Sequence, residues 1–232
     1  MFVVEGVRAS EELVKSPLEL VGALVSPQLS TTPRGASLRT ALASRGTEIA
    51  DVTEAEFESA AETETPQGIL VIAVTPKRSL DAVAAADPSL VLVLDAVQDP
   101  GNVGTLIRTA AGLGATATVA LPGTVDLWNA KVVRSAMGAH FLHSAFHCTW
   151  DELRLFLDET RMPLWGADAG GVPVERTSAP RRLALAVGNE GAGLSAHVRG
   201  ACAQLVSLPL DPGVESLNVA VAAGILLYEL RA

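Results

Sequence analysis

Cysteine is scarce in this chain of 232 residues, with Cys148 and Cys202 the two examples. Their separation fits neither a metal-ligand pattern nor a disulfide framework, which points to a reducing cytoplasm. Long apolar runs are missing as well. The longest candidate, Leu217 to Leu227, carries Asn218 and falls short of the roughly 20 uninterrupted apolar residues a membrane helix needs. At the start, MFVVEGVRAS puts Glu5 and Arg8 where a signal peptide would place its apolar stretch, so a cytoplasmic location is expected. Internal repeats and low-complexity tracts are lacking too. Positive charge is in deficit, because 17 Lys and Arg against 26 Asp and Glu leave a formal net charge of −9. That balance argues against holding nucleic acid by bulk electrostatics, since neutralising phosphates takes many cations. Local patches remain open: Arg34, Arg39 and Arg45 in the first third, Lys77 with Arg78, and Lys131 with Arg134. Solvated surface charge is the ordinary alternative for each.

What is present is apolar residue in quantity. At 49% apolar and 19% charged, the chain has enough apolar surface to offset the entropy of folding. Its length suits one large domain or two small ones at roughly 100 to 200 residues per domain. The clearest break runs from Thr75 to Ser89, where Pro76, Lys77, Arg78, Asp81 and Pro88 separate two buried-strand patterns, GILVIAV and SLVLVLDAV. Residues 1–75 are therefore expected to form a small α/β unit, 76–88 a linker and 89–232 a second domain. In the first, helices are expected at Ser10 to Lys15, Ser37 to Arg45 and Glu54 to Ala61, and strands at Leu20 to Val25 and Ile69 to Val74. In the second, strands are expected at Leu90 to Leu94, Ala117 to Leu121, His140 to Ala145, Pro163 to Ala167, Leu183 to Val187 and Gln204 to Leu208. Helices fall at Val103 to Leu113, Asn129 to Ala136, near Trp150 to Thr160, and at Leu217 to Arg231. Strands rich in Val, Leu and Ala without alternation belong to a sheet buried on both faces, so the fold class is α/β with a mostly parallel sheet.

Open parallel sheets bind ligands beyond the carboxyl ends of their strands. Three loops there carry patterns. The first, DAVQDPGNVGTLIR, makes a turn at Asp99-Pro100-Gly101 and then a helix whose buried face is Val103, Leu106, Ile107 and Ala110. Asn102 suits the helix N-cap, and Arg108 lies off the apolar stripe. The second, VGNEGAGL, spaces Gly188, Gly191 and Gly193 as G-x-x-G-x-G, which is neither the dinucleotide fingerprint nor a phosphate loop. Glu190 within it has helix capping as its ordinary reading. The third, LPLDPGVESLNV, leads into a helix apolar all round and so expected to be buried. Ser216 can cap it, which leaves Asn218 as an amide needing partners.

Taken together and in this order, DPGNVGTLIRTA, VGNEGAGL and LPL…ESLNVAVAAGILLYE resemble the three signature motifs of the SpoU/TrmH family of RNA ribose 2′-O-methyltransferases, within the SPOUT superfamily. The match runs from about Leu90 to Leu230. FVVEGVRASEELVKS and TPQGILVIAV resemble the small RNA-binding domain that many members carry first. The resemblance implies a C-terminal trefoil knot, a feature no sequence rule would anticipate. It implies S-adenosyl-L-methionine as cofactor, bound through backbone at Gly188, Leu208 and Leu217. It places the functional polar residues at Asn102, Arg108, Glu190, Ser216 and Asn218. It also implies a homodimer with the site near the two-fold axis, and an RNA substrate, ribosomal RNA first and transfer RNA second.

A ribose hydroxyl is a poor nucleophile at neutral pH, so the transfer needs in-line positioning and an exit for the proton. A guanidinium keeps its proton throughout the physiological range, so Arg108 is read as gripping a phosphate bidentately while Ser216 and Asn218 orient the hydroxyl. No metal is required. Zinc at His140, His143, His147 and Cys148 is disfavoured, since a strand would send His140 and His143 to opposite faces. A nicotinamide enzyme is disfavoured by the glycine spacing, and a non-catalytic RNA-binding relative by the intact polar set.

Overall fold

The computed structural model describes residues 1–231. The first 73 residues build a four-stranded sheet from β1 (Phe2–Glu5), α1 (Val7–Lys15), β2 (Leu20–Val25), α2 (Pro33–Ser44), β3 (Glu48–Asp51), α3 (Glu54–Ala60) and β4 (Ile69–Ala73). Its order is β1-β4-β2-β3, with β4 antiparallel to both neighbours and β3 parallel to β2. The short α4 (Asp81–Ala84) follows, and Val83 anchors it in the core.

The second part comprises β5 (Ser89–Asp95), α5 (Pro100–Gly112), β6 (Ala117–Ala120), α6 (Ala130–Ser135), α7 (Ala139–Leu142), β7 (Ala145–His147), α8 (Trp150–Thr160), β8 (Leu164–Pro173), β9 (Arg182–Gly188), α9 (Ala196–Ala201), β10 (Gln204–Ser207) and α10 (Val219–Leu230). Its six strands lie in the order β10-β8-β9-β5-β6-β7, and every pairing is parallel. β5 is buried at all seven positions. Its pleat sorts them by parity: Leu90, Leu92 and Leu94 enter the core under α5 and α10, while Val91 and Val93 enter the one under α8. A strand covered on both faces needs this unbroken apolar run. On the first face α5 and α6 pack closely because residue 104 is glycine. A Cβ there would lie 2.6 Å from the Val132 carbonyl oxygen.

Four expectations are corrected. The strand expected at His140 to Ala145 divides into α7 and β7, because His140 and Phe141 are drawn under the N-terminal sheet. The Phe2 ring centroid lies 4.3 Å from that of Trp128 and 6.0 Å from that of Phe141, and Trp128 sits 4.1 Å from His140. The argument that kept His140 and His143 apart as strand neighbours therefore does not hold. His140 is fully buried with both ring nitrogens unpartnered among the described residues, and burial, with the nearby Arg78 charge and His143, pushes it down to about 3. Secondly, α10 is not buried all round. Ala220, Ala223, Leu226, Leu227 and Leu230 face inward, but Val221, Ile225 and Tyr228 form an exposed stripe at helical spacing. Thirdly, α10 starts two residues later than expected, at Val219. Fourthly, the basic cluster is not free: Arg34 pairs with Glu11, Arg39 with Asp51, and Arg45 donates to the carbonyls of Val14, Ser16 and Leu18.

Candidate active site

The site lies where β5, β9 and β10 release their chains. Asp95, at the end of β5, is buried and accepts a 2.7 Å hydrogen bond from the Ser195 N–H, tying the second motif to the central strand. Ala96 then takes a φ of 57°, a left-handed conformation unusual for a residue with a Cβ. Its carbonyl accepts from Asn189 Nδ2 at 2.9 Å. The chain next enters α5, whose N-cap is Asp99 and not Asn102 as expected: the Asp99 carboxylate accepts from the Asn102 N–H at 2.7 Å. Asp followed by Pro at the first helical position is the sequence signal for that cap.

Asn102, freed from capping, reaches across the motifs. Its Nδ2 donates to Glu190 Oε1 at 3.0 Å, and its Oδ1 accepts from Asn218 Nδ2 at 2.9 Å. The chemistry at both ends fixes this direction. An ionised carboxylate can only accept, and Asn218 Oδ1 is already occupied by the Ala220 and Val221 N–H groups at the start of α10. Asn218 is therefore the N-cap of α10, the role expected of Ser216. One chain of side chains, Glu190 to Asn102 to Asn218, thus joins three loops from distant parts of the sequence.

Glu190 also accepts from the N–H groups of Gln98 and Asp99, at 3.3 and 3.1 Å. Burial works against its charge, but the Asn102 amide and the main-chain N–H groups of Glu190, Asp99 and Gln98 outweigh it and hold the carboxyl below its ordinary range. Glu190 does not cap the helix that follows, its ordinary reading; it fastens the first loop to the second. Asn189, which no sequence signal marked out, folds the second loop by accepting from the N–H groups of Gly191 and Ala192. Gly188 is dictated by that folding: a Cβ on it would stand 2.2 Å from the Gly193 carbonyl carbon.

The third loop, from Leu208 to Leu217, carries the remaining expected positions. Leu208 packs on the core below α10. Leu217 is exposed, and so is Ser216, whose hydroxyl has no hydrogen-bond partner among the described residues. Arg108 stands apart from this cluster. Six residues beyond Asn102, it lies about 9 Å further along α5. It is exposed and has neither ion pair nor hydrogen bond among the described residues. It lines an open cleft of about 550 Å³ with Ala111, Gly112, Met137, Ala139, Leu142 and His143. His143 hydrogen-bonds Thr118 at 2.9 Å, and burial followed by the Arg78 charge pushes it down to about 4, leaving it neutral at pH 7.

Comparison with known proteins finds relatives for both parts of the chain. The family described as "SpoU rRNA Methylase family" matches residues 89–228, and the "MRM3-like substrate binding domain" matches residues 1–71. The chain is 38% identical over 234 residues to the 23S rRNA (guanosine(2553)-2′-O)-methyltransferase RlmP of Bacillus subtilis, covering 99% of this chain and 88% of that one. It is 36% identical over 169 residues to the 23S rRNA (guanosine-2′-O-)-methyltransferase RlmB of Bordetella pertussis, covering 68% of each. Among solved structures it resembles the SpoU methyltransferase AviRb of Streptomyces viridochromogenes in complex with the cofactor AdoMet. There the TM-score is 0.90 at 28% identity, covering 99% of this chain and 88% of that one. With its three motifs joined at the carboxyl ends of a parallel sheet, the chain belongs to the SpoU rRNA methylase family.

Proposed function

We propose that this protein transfers a methyl group from S-adenosyl-L-methionine to a ribose 2′-hydroxyl of 23S ribosomal RNA. The observation that carries the reading is the Glu190–Asn102–Asn218 chain, which gathers the polar residues of all three motifs at one place. The names of the relatives support the substrate.

The residues fit a cofactor held through backbone. Among the described residues the main-chain groups of Leu208 and Leu217 have no hydrogen-bond partner, so they are available to a ligand. When bound, S-adenosyl-L-methionine supplies the methyl group on a sulfonium. The chain's own residues divide the remaining work. Glu190 and Asn102 fix the loops that shape the pocket, and their side chains are occupied in doing so. Asn218 has one donor hydrogen left, and Ser216 a free hydroxyl, to orient the ribose. Arg108 holds the phosphate next to the target through two parallel hydrogen bonds. The hydroxyl proton passes to a phosphate oxygen or to water.

Residues 1–75 form the RNA-binding domain, 76–88 connect it, and 89–232 form the methyltransferase domain. The return of the chain from the edge strand β10 to Asn218, which bonds Asn102 of α5, supports a trefoil knot. The exposed stripe of Val221, Ile225 and Tyr228, with Leu217 and Val214 also exposed in the segment before it, supports a homodimer that brings Arg108 near a site completed across the two-fold axis. A cytoplasmic location accompanies an rRNA substrate; among the described residues no helix is long and apolar enough to cross a membrane. Incubating the protein with labelled S-adenosyl-L-methionine and a 23S rRNA transcript tests the activity. One nucleotide should become resistant to alkaline hydrolysis; label on a base instead of a ribose would contradict the reading.

A further inference from the structure

The cleft at Arg108 sets a cation beside an apolar wall. Some of the chain's arginines are held in ion pairs, as with Arg34 on Glu11, Arg39 on Asp51 and Arg199 on Asp168. Arg108 has none among the described residues, and no carboxylate lines its cleft. Opposite it the wall is apolar: Met137, Ala139 and Leu142, the last with 73% of its surface exposed. This wall is stiff. Met137 has a φ of 52° and Gly138 one of 87°, a tight turn in which Met137 bears a conformation that costs free energy and is kept where the surroundings enforce it. The enforcing contacts lie on the other side of α7, where Phe141 and His140 are held by Phe2 and Trp128. The helix therefore has one face locked under the N-terminal sheet and the other, with Leu142, presented beside an unpaired cation.

We propose that this cleft seats one nucleotide of the RNA substrate, with its phosphate on Arg108 and its base against Met137 and Leu142, making Leu142 a positioning residue. The inference rests on the RNA substrate proposed above. An apolar wall beside a lone guanidinium matches a nucleotide, which joins a flat apolar face to an anion. Since the N-terminal sheet clamps the far face of α7, RNA gripped by that domain would arrive at the seat in a fixed register.

The test is filter binding of a 23S rRNA transcript to the full-length chain at constant salt, with methyl transfer followed in parallel. Leu142→Ala should weaken RNA binding about tenfold, the scale for losing apolar contact in a pocket. Leu142→Phe should restore affinity to within about twofold of the native chain, because a ring stacks on a base. Leu155→Ala, at another exposed leucine, on α8, should change nothing. Native RNA affinity in Leu142→Ala would overturn the seat while leaving the methyltransferase reading intact. So would a lower mass of Leu142→Asp in sedimentation, since the cleft would then be an interface between copies. A chain that binds RNA through Leu142 yet transfers no methyl would support the seat and overturn the activity.

Discussion

Helix α5 carries two regions of opposite character. At its first turn, Asp99 caps the helix and Asn102 is held between Glu190 and Asn218, so the polar side chains are paired inside the protein. Two turns later Arg108 faces an open cleft with no partner among the described residues. The first region is finished before any ligand arrives; the second is left for one. Under the proposed function, the paired end would shape a pocket for the cofactor and the unpaired end would be available to the RNA.

The contrast breaks most sharply at Arg108. Arg108→Ala should lower turnover about 100-fold or more, the scale for removing one placed donor from a reacting anion, and Arg108→Lys should rescue poorly because an ammonium lacks the two-pronged grip. Initial rates with saturating cofactor measure this. Activity of the Lys variant that climbs with pH would instead identify a base at this position.

Asn218→Ala disturbs the finished end. It removes the α10 cap, at a cost of about 1 kcal/mol, and leaves Asn102 Oδ1 without its donor. Both cofactor affinity and rate should fall, in contrast to Arg108→Ala, with the stability loss visible in urea denaturation.

The smallest effect belongs to Glu190→Gln. Because the folded protein holds the Glu190 carboxyl below its ordinary value of 4.5, its contribution is present above that value and lost as pH falls through the lowered one. Native chain and variant should differ by no more than about 1 kcal/mol at pH 7, given solvent screening, and converge on acidification. A gap that widens toward acid would reverse the sign and refute the role given to Glu190.

How far these regions were legible in the sequence depends on whether local or tertiary forces govern each element. β2 runs over Leu20–Val25 and α8 over Trp150–Thr160 as expected, since α8 has its own Thr149 and Glu152 capping box and an apolar stripe. β1 and β3 received no bounds from the pattern. Each has four residues, and β3 is a largely exposed edge strand with little apolar pattern. α7 replaced part of an expected strand because Phe2 and Trp128, remote in sequence, cover Phe141 and His140. At the site, the residue types and their motifs were visible. What each amide holds was not, because Asn102, Glu190 and Asn218 meet across more than eighty residues of chain. The Arg34, Arg39 and Arg45 cluster showed the converse error: proximity in sequence said nothing of Glu11 and Asp51 waiting to pair with it.

Isothermal titration of S-adenosyl-L-methionine into Arg108→Ala and Asn218→Ala, beside the native chain, tests the division most directly. The Arg108 variant should bind the cofactor as the native chain does, and the Asn218 variant more weakly. Equal losses in both would mean that the two ends of α5 form one site and that the division of labour is wrong.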